Sequence, residues 1–493
     1  MSGLDPDDWT ELRALGHIML DDMVDRLEGL RDTPVWQRMP DERRAELHAS
    51  LPQDGMPVAA VYADFQRLVA PYSVGNTHPR FMGWVHGGGT GIGMLAELLA
   101  GGLNANLGGR DHAPIEVERQ VVRWAAEMVG MPAESSGLLV TGSSMANMIA
   151  VLVARRHAAG AAIRTQGIGG ADVEGRHLVG YAGANAHGCV SRAFDMAGLG
   201  SDALRHVPVD SDHRMSLPAL AKIVAHDRAA GLRPFLVVGT AGAVDTGAID
   251  DLAALAAFCR AQGLWFHVDG AFGALAALSP RLRGQLDGIE QADSLAFDFH
   301  KWAQAPYDAG CVLVRDPTLQ LQTFAQNLAY LQGTDRGVAG NAPWPADLGP
   351  DLSRGFRALK VWMTLKTYGA TRMGQMVEAC CDVAQHLAAR IAREPSFELL
   401  APVNLNIVCF RLTGAHADLD VLNAELVKDL HEAGIAVPST TLIDGRRAIR
   451  AAIVNHRTTN ADVDAMLDGL LMLAGARLSP VPPQPGPGGR SKA

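Results

Sequence analysis

Between residues 78 and 368 the chain alternates short runs of β-forming residues with longer stretches of helical periodicity. The β-forming runs are, in chain order, GLLVTG, HLVGYAG, FLVVGTAG, LWFHVDGAFG, SLAFDF and CVLVRD. Among the helical stretches, PIEVERQVVRWAAEMVG begins with Pro114, which suits a first helical turn. Its apolar positions share one helical face: Val121, Val122, Ala125, Met128 and Val129. Strands separated by helices predict an α/β fold with a largely parallel sheet covered on both faces.

The flanking regions have a different pattern. Residues 1–77 read mainly as helices with breaks, as in WTELRALGHIMLDDMVDRLEGL. Residues 369–478 contain a long helical pattern, RMGQMVEACCDVAQHLAARI, followed by NIVCFRL, further helices and AIRAAIVNH, which is typical of a small α+β domain. Residues 479–493 are rich in Pro and Gly and are expected to be disordered. We therefore expect an N-terminal helical segment, a large α/β domain (78–368), a small C-terminal domain and a tail.

Charge and cysteine content narrow the classes of function. The formal net charge is −10, which argues against binding to nucleic acid or to an anionic membrane and favours small-molecule chemistry. The six cysteines have no metal-ligand spacing, so we expect no metal site and reduced thiols. No apolar run approaches the roughly 20 residues of a membrane span, and the acidic N-terminus lacks a signal-peptide pattern. These features predict a cytoplasmic protein that acts on small molecules.

Parallel sheets bind ligands at the carboxyl ends of their strands, so the residues after each strand are the first candidates. Thr141-Gly142-Ser143-Ser144 follows GLLV and opens a helix, where small residues with free N–H groups form a phosphate cradle. A simple helix N-cap by Ser143 or Ser144 explains this stretch equally well. Lys301 follows the buried run 294–297, although a lysine there can also be an ordinary surface residue.

Two further strand ends carry polar side chains. Asp269 follows LWFHV, and a carboxylate at the end of an apolar strand is costly unless it pairs with a cation or a protonated ring nitrogen. Helix capping is the alternative for this residue. His187 lies in the loop after LVGYAG, where an imidazole is able to stack on a planar ligand, although a lone histidine is more often only a satisfied polar residue.

Together, the phosphate cradle, His187, Asp269 and Lys301 indicate one kind of site more specifically than any of them does alone. A pyridoxal phosphate (PLP) site needs a lysine for a Schiff base, a carboxylate for the pyridine nitrogen and a helix N-terminus for the phosphate. The chain resembles the group II PLP-dependent amino-acid decarboxylases, which include aromatic-L-amino-acid and glutamate decarboxylases, over nearly its whole length. The resemblance rests on HPRFMGW, NANLGGRDHAPIEVE, TGSSMAN, AHGCVSRA, HVDGAFG, DFHKW and LSRGFRALKVWMTLKTYG. It implies the fold of the aspartate aminotransferase superfamily, fold type I.

The resemblance also implies a role for each matched residue. Lys301 would form the Schiff base with PLP, Asp269 would pair with the pyridinium nitrogen, and His187 and Ala271 would lie against the two ring faces. Asp298 occupies a position where relatives have Asn or Asp. The phosphate would be surrounded by Gly142, Ser143, Ser144 and His300. The implied reaction is decarboxylation of an L-amino acid to the amine and carbon dioxide, with Lys301, His187 and Asp269 as catalytic residues.

Members of this family form homodimers with shared active sites, so the resemblance implies that residues 1–77 are a dimerisation segment. Gly369 would then approach the phosphate in the partner's site. The implied substrate pocket consists of Phe81, Trp84, Asn104, Asn106 and Trp344.

Asn104 and Asn106 place two amides where aromatic decarboxylases have apolar residues. Buried amides need hydrogen-bond partners, so they favour a substrate side chain with a polar or acidic group, which can be on an aromatic ring, over phenylalanine. The alternative is that both amides simply bond the backbone in a turn.

One departure from the family bears on the product. In relatives, a mobile loop before the FRALK-like block carries a tyrosine that is thought to protonate the substrate carbon. Residues 331–360 contain no tyrosine, and Trp344 or Pro345 lies near that position. Related enzymes without this tyrosine release an aldehyde, so aldehyde synthase is the alternative activity, and Tyr330 is a possible substitute donor. A PLP-fold protein without catalysis remains a third alternative.

Overall fold

The computed structural model describes residues 3–6, 8–171, 173, 177–326, 333–414 and 418–478. Seven of its strands form the central sheet: β2 (Ser136–Val140), β3 (Leu178–Gly183), β4 (Leu204–Val207), β5 (Arg233–Thr240), β6 (Trp265–Asp269), β7 (Ser294–Asp298) and β8 (Gly310–Val314). Their order across the sheet is β2-β8-β7-β6-β5-β3-β4. Strand β8 is antiparallel to both of its neighbours, and the other neighbouring pairs are parallel. The predicted α/β fold is confirmed, and all six β-forming runs are strands.

A second sheet contains β1 (Phe81–Met82), β9 (Phe397–Leu399), β10 (Ile407–Leu412), β11 (Val437–Ile443) and β12 (Arg446–Ala452), in the order β1-β11-β12-β10-β9. Its first strand comes from the HPRFMGW block and pairs in parallel with β11. A segment from the start of the expected large domain therefore joins the C-terminal sheet.

Helices surround the two sheets. In chain order they are α1 (Trp9–Glu28), α2 (Asp41–Glu46), α3 (Val58–Asp64), α4 (Gly91–Leu103), α5 (Ala113–Val129), α6 (Ser143–Ala159), α7 (Ile163–Gln166), α8 (Gly188–Met196), α9 (Leu217–Ala229), α10 (Leu252–Gln262), α11 (Pro317–Phe324), α12 (Arg357–Ile391), α13 (Leu419–Glu432) and α14 (Asn460–Leu478). None of the helices in the described ranges is long and apolar enough to span a bilayer.

The central sheet separates two apolar clusters because successive side chains of a strand point to opposite faces. Along β2, Leu138 and Val140 pack into the cluster that contains α6 and α8. Leu139 packs into the cluster on the other face, which contains α5 and α10. The apolar face predicted for α5 is buried in that second cluster. The parallel strands are therefore covered on both faces, and their carboxyl ends are left to form a site.

A buried ion pair ties the FRALK-like block to β2. Arg354 lies 2.5 Å from Glu118 and donates to the carbonyl of Leu139, while Glu118 accepts the N–H of Leu139. Both charged side chains are almost fully buried. Because β2 leads directly into α6, this pair fixes the strand that carries the predicted phosphate cradle.

Candidate active site

The carboxyl ends of β5, β6 and β7 and the first turn of α6 border one cavity of about 400 Å³. Two further walls come from the segment after β1 and the turn after β7. Ten of the predicted site residues line this cavity: Trp84, Gly142, Ser143, Ser144, His187, Asp269, Ala271, Asp298, His300 and Lys301. The fold therefore brings together residues that are up to 217 positions apart in the chain, and those that the strand-end rule singled out, from Gly142 to Lys301, are among them.

Lys301 lies inside this cavity and has two polar neighbours. Its Nζ is 2.8 Å from Oδ2 of Asp298 and 3.4 Å from Oγ of Ser143. Ser143 in turn donates to the same Asp298 oxygen at 2.8 Å. Burial is the largest single influence and opposes the charged form of Lys301, but Asp298 and the other negative groups around it, Asp269 among them, together outweigh burial, so the pKa of the amine is raised. Lys301 is thus an ion-paired group of the cavity and not a surface lysine.

The first turn of α6 has the free N–H groups of an anion site. The helix begins after Gly142, and no side chain caps it. Ser143 and Ser144 are the first two helical residues, and their backbone N–H groups donate to no acceptor in the part of the chain that the structure describes. The alternative of a serine N-cap is therefore not observed, because the Ser143 hydroxyl bonds Asp298 instead.

His300 presents a donor to the same cavity. Its Nδ1 accepts the backbone N–H of Ala309 at 3.0 Å. Burial lowers the pKa of His300, so the ring is neutral and its one proton lies on Nε2. That nitrogen is 3.6 Å from Oδ2 of Asp298. The backbone therefore selects the tautomer in which Nε2–H is able to donate to an anion.

Asp269 ends β6 and is buried. Its Oδ1 accepts the N–H of Ala271 at 3.1 Å, and its Oδ2 accepts Nδ2 of Asn147 at 3.2 Å. Burial raises the pKa of Asp269, and the positive charge of Lys301 opposes this shift without cancelling it. The bond to Ala271 belongs to the turn after the strand, so Asp269 does accept a backbone N–H, as the capping alternative expects. A buried carboxylate of this kind favours a cationic partner.

His187 and Ala271 line the cavity beside Asp269. His187 is exposed toward it and is also the N-cap of α8, since its Nδ1 accepts the N–H of Cys189 at 3.2 Å. The cap leaves the other ring nitrogen, Nε2, to carry the proton when the ring is neutral. His187 therefore both caps α8 and lines the cavity.

Five predicted residues lie outside this cavity. Phe81 is buried in a small cluster with Val35 and Val437. Gly369 lies at a break in α12, and Asn104 ends α4 with φ of 45°. Asn106 and Trp344 line a separate cavity of about 840 Å³. Tyr330, the possible substitute donor, is outside the described residues.

Three cavity residues carry polar groups that sequence analysis did not single out. Thr240 ends β5, and the strand-end rule was sufficient to find it. His86 and Tyr307 follow no pattern in the sequence. Their rings meet edge to face at 5.7 Å, and the Tyr307 ring lies 4.3 Å from that of His300. The chain beside His86 passes close to the backbone of the turn after β7, because a Cβ at Gly87 would be 2.4 Å from the Lys301 carbonyl oxygen.

The residues of the cavity fit PLP. The cradle of α6 offers N–H groups for a phosphate, and Asp269 offers a buried carboxylate for a ring nitrogen. Two buried oxygens that border the cavity, Oδ1 of Asp298 and Oγ1 of Thr240, have no hydrogen-bond partner in the described chain. Such orphaned groups are costly unless a ligand bonds them.

Comparison with known proteins identifies the family. Residues 40–413 match the model of the pyridoxal-dependent decarboxylase conserved domain. The chain is 32% identical over 462 residues to an aromatic-L-amino-acid decarboxylase of Bacillus atrophaeus, covering 92% of this chain and 93% of that protein. It is 29% identical over 470 residues to phenylacetaldehyde synthase of Arabidopsis thaliana, covering 91% and 93%. The crystal structure of Oryza sativa TDC with PLP and tryptamine superposes with a TM-score of 0.88 at 25% identity, over 97% of this chain and 100% of that one. The chain therefore belongs to the pyridoxal-dependent decarboxylase family and is a PLP-dependent amino-acid decarboxylase.

Proposed function

We propose that this protein removes the α-carboxylate of an L-amino acid as carbon dioxide and releases the amine, with Lys301 as the residue that holds PLP covalently. One observation supports this most strongly. The Lys301 amine lies 2.8 Å from Asp298 in the cavity that also contains Asp269 and the first turn of α6. Among the residues that the structure describes, no other lysine lines that cavity. When bound, PLP supplies an electron sink for the electrons of the bond between the α-carbon and the carboxylate.

The roles of the surrounding residues follow from their positions. Asp269 is buried and bonds no cationic side chain in the described ranges, so it is suited to keep a proton on the ring nitrogen of PLP. His187 and Ala271 would lie against the ring faces and exclude water from them. Without a proton on that ring nitrogen the ring would accept electrons poorly, so we assign Asp269 a catalytic role. Lys301 and His187 are the other two proposed catalytic residues.

The phosphate group would be held at the start of α6. Gly142, Ser143 and Ser144 supply backbone N–H groups and hydroxyls there, and the Nε2–H of His300 adds a donor. Asp298 borders the same place, next to Gly142. It would orient the Lys301 amine through its 2.8 Å contact.

The Lys301 assignment has a direct spectroscopic test. Protein purified with PLP should absorb in the visible region, and Lys301→Ala should lose that band. Lys222→Ala, which changes an exposed lysine on α9, is the control and should keep the band. A colourless wild-type protein that does not take up PLP would refute the proposal.

For the substrate we propose an L-amino acid whose side chain carries a polar or acidic group. The Asn106 carbonyl accepts the N–H groups of Gly108 and Arg354, as the backbone-turn alternative expects. Its amide Nδ2 donates to no acceptor among the residues described and is free to bond a substrate. A panel of common L-amino acids, assayed by carbon dioxide release with wild type and Asn106→Leu, separates a substrate-binding role of this amide from a purely structural one. Phenylalanine as the best substrate, unaffected by Asn106→Leu, would contradict this assignment.

The product is the second open point, and the absence of tyrosine from residues 331–360 favours the aldehyde alternative. Formation of the amine requires a proton at the α-carbon. Formation of an aldehyde instead consumes dioxygen and water and releases ammonia and hydrogen peroxide along with carbon dioxide. We propose the amine because His187 is retained. Amine yield equal to carbon dioxide release, without oxygen consumption, is the expected result, and stoichiometric peroxide would establish the aldehyde synthase.

We also propose a cytoplasmic homodimer with shared active sites. Helix α1 has 20 residues and none of them is buried, although Trp9 and Ile18 are among them. A second copy of the chain is the occupant that would cover this helix. In such a dimer Asn104, Asn106, Trp344 and Gly369, which lie outside their own chain's cavity, would be available to the partner's site. The six cysteines are buried free thiols, which supports a reducing compartment.

A further inference from the structure

A chain of four buried hydrogen bonds lies beneath Asp269. Trp265 Nε1 donates to Oγ of Ser294 at 2.9 Å, and this hydroxyl lies 2.9 Å from Nδ1 of His267. His267 Nε2 is 2.7 Å from Oδ1 of Asn147. Asn147 Nδ2 then donates to Oδ2 of Asp269 at 3.2 Å. The chain connects the interior of the sheet to the carboxylate of the active site.

Hydrogen-bond chemistry gives this chain one direction. An ionised carboxylate only accepts, so the NH₂ group of Asn147 must face Asp269 and its carbonyl must face His267. His267 therefore carries its proton on Nε2. Burial lowers the pKa of His267 to about 4, so the ring is neutral. With the proton on Nε2, Nδ1 accepts the Ser294 hydroxyl proton, and the Ser294 carbonyl oxygen, 3.1 Å from Nδ1, receives no proton from the ring. Each group in turn donates toward Asp269.

The two members of the chain next to Asp269 lie behind the wall of the cavity. Asn147 and His267 are buried, at 0% and 1% exposure, and neither lines the cavity. Both come from sequence blocks, TGSSMAN and HVDGAFG, that also supply Ser143, Ser144 and Asp269 to the site. A polar pair this deep in a sheet is costly to keep unless its bonds serve a purpose beyond packing.

We propose that Asn147 and His267 are positioning residues for the cofactor, which orient the Asp269 carboxylate and keep it ionised so that it can hold a proton on the ring nitrogen of PLP. This rests on the proposed role of Asp269. N–H donors to a carboxylate favour its charged form, which burial alone disfavours. Only two N–H groups serve Asp269, the backbone of Ala271 and the amide of Asn147, within the residues the structure describes.

Other groups around Asp269 set its charge as well. Lys301 and His187 favour the ionised form, and Asp298 opposes it. Cys189 lies 3.9 Å from Oδ2, and burial raises its pKa to about 12, so this thiol is neutral. None of these groups contacts Oδ2 as closely as Asn147 does. Loss of the Asn147 bond should therefore shift the shared proton from the ring nitrogen toward Asp269.

The test uses holoenzyme loaded with PLP that is ¹⁵N-labelled at the ring nitrogen. The ¹⁵N chemical shift reports directly whether that nitrogen carries a proton. Wild type should show a protonated ring at neutral pH, whereas Asn147→Ala and His267→Leu should show a shift toward the neutral ring. The affinity for PLP should fall about tenfold or more, as expected for the loss of a hydrogen bond to a charged group.

A conservative variant separates positioning from packing. In His267→Gln the amide Nε2 is able to replace the imidazole Nε2–H as donor to Asn147, so its ¹⁵N shift should stay close to that of wild type. Asn423→Ala removes a buried amide of α13 that bonds Leu412 and does not line the cavity, and it should lower stability without moving the shift. If Asn147→Ala does not fold, Ser294→Ala breaks the far end of the same chain and should move the shift in the same direction.

The outcomes distinguish the inference from the function on which it rests. A wild-type protein that binds no PLP, or binds it with a neutral ring, refutes the role of Asp269 itself. A protonated ring in wild type together with unchanged ¹⁵N shifts in Asn147→Ala, His267→Leu and Ser294→Ala refutes the positioning role alone. A shift in His267→Gln as large as that in His267→Leu also contradicts it, since the donor is retained in the former.

Discussion

At the scale of the residue, burial of His267 predicts a pH dependence of stability. Its pKa is about 4 in the folded protein against the ordinary value of 6.5, because burial disfavours the charged ring. The unfolded state therefore binds more protons between pH 6.5 and 4, so stability contributed by the neutral ring is present above pH 6.5 and is lost as the pH falls toward 4. The full loss is about 3 kcal/mol. Urea unfolding of cofactor-free protein at several pH values should show a shallower acid loss in His267→Gln, while exposed His206→Gln should behave as wild type.

Single residues also show how far the sequence predicts the site. Lys301, Asp269 and Ser143 were predictable because each follows a buried strand, and parallel strands bring their carboxyl ends to one edge. Thr240 obeys the same rule and was overlooked. His86 and Tyr307 were not predictable, since their places depend on how distant loops pack and not on a local pattern. The buried chain through His267 was equally hidden, because a histidine inside an apolar run does not reveal its partners.

At the scale of the element, α12 contains a break that predicts the effect of one substitution. Gly369 has φ of 71° and ψ of 158°, a conformation that is essentially restricted to glycine. A Cβ at this position would contact no atom within 4 Å, so any loss in Gly369→Ala comes from the backbone. We expect Gly369→Ala to lower the free energy of unfolding by about 1–3 kcal/mol.

The matched control for Gly369 is Gly101 in α4, where an added Cβ also meets nothing within 4 Å and φ is not positive. Gly101→Ala should raise the free energy of unfolding by about 0.5–1 kcal/mol, because alanine loses less entropy in a helix. Urea unfolding of both variants measures the difference. Equal effects of the two substitutions would show that the break at Gly369 is not required by the fold.

Elements also mark the limit of sequence-based prediction. The helices α1 and α5 follow from helical periodicity, and six strands of the central sheet follow from short runs of β-forming residues. The antiparallel direction of β8 and the pairing of β1 with β11 do not, because pairing between distant segments leaves no periodic signal in either one. Strand β4 has only four residues, so its run of β-forming residues was too short to detect.

At the scale of the whole molecule, the exposed apolar face predicts the assembly. Trp9 and Ile18 on α1 are 60% and 53% exposed, and α4 adds Leu98, Leu99 and Leu103. Burial of such side chains is favourable, so we expect a dimer of about 104 kDa, twice the chain mass of 52.2 kDa. Ile18→Asp should shift sedimentation toward the monomer and reduce activity. Val421→Asp, at an exposed valine of α13, should leave the dimer intact. A fully active wild-type monomer would contradict the shared site.

The central claim is that Lys301 is the residue that holds PLP covalently. The most direct measurement is reduction of the PLP-loaded protein with borohydride, followed by proteolysis and mass spectrometry of the peptides. Our account predicts one pyridoxyl-phosphate adduct per chain, located on Lys301 in the peptide that contains DFHKW. An adduct on another lysine, or a protein that retains PLP without any reducible bond to Lys301, would contradict it.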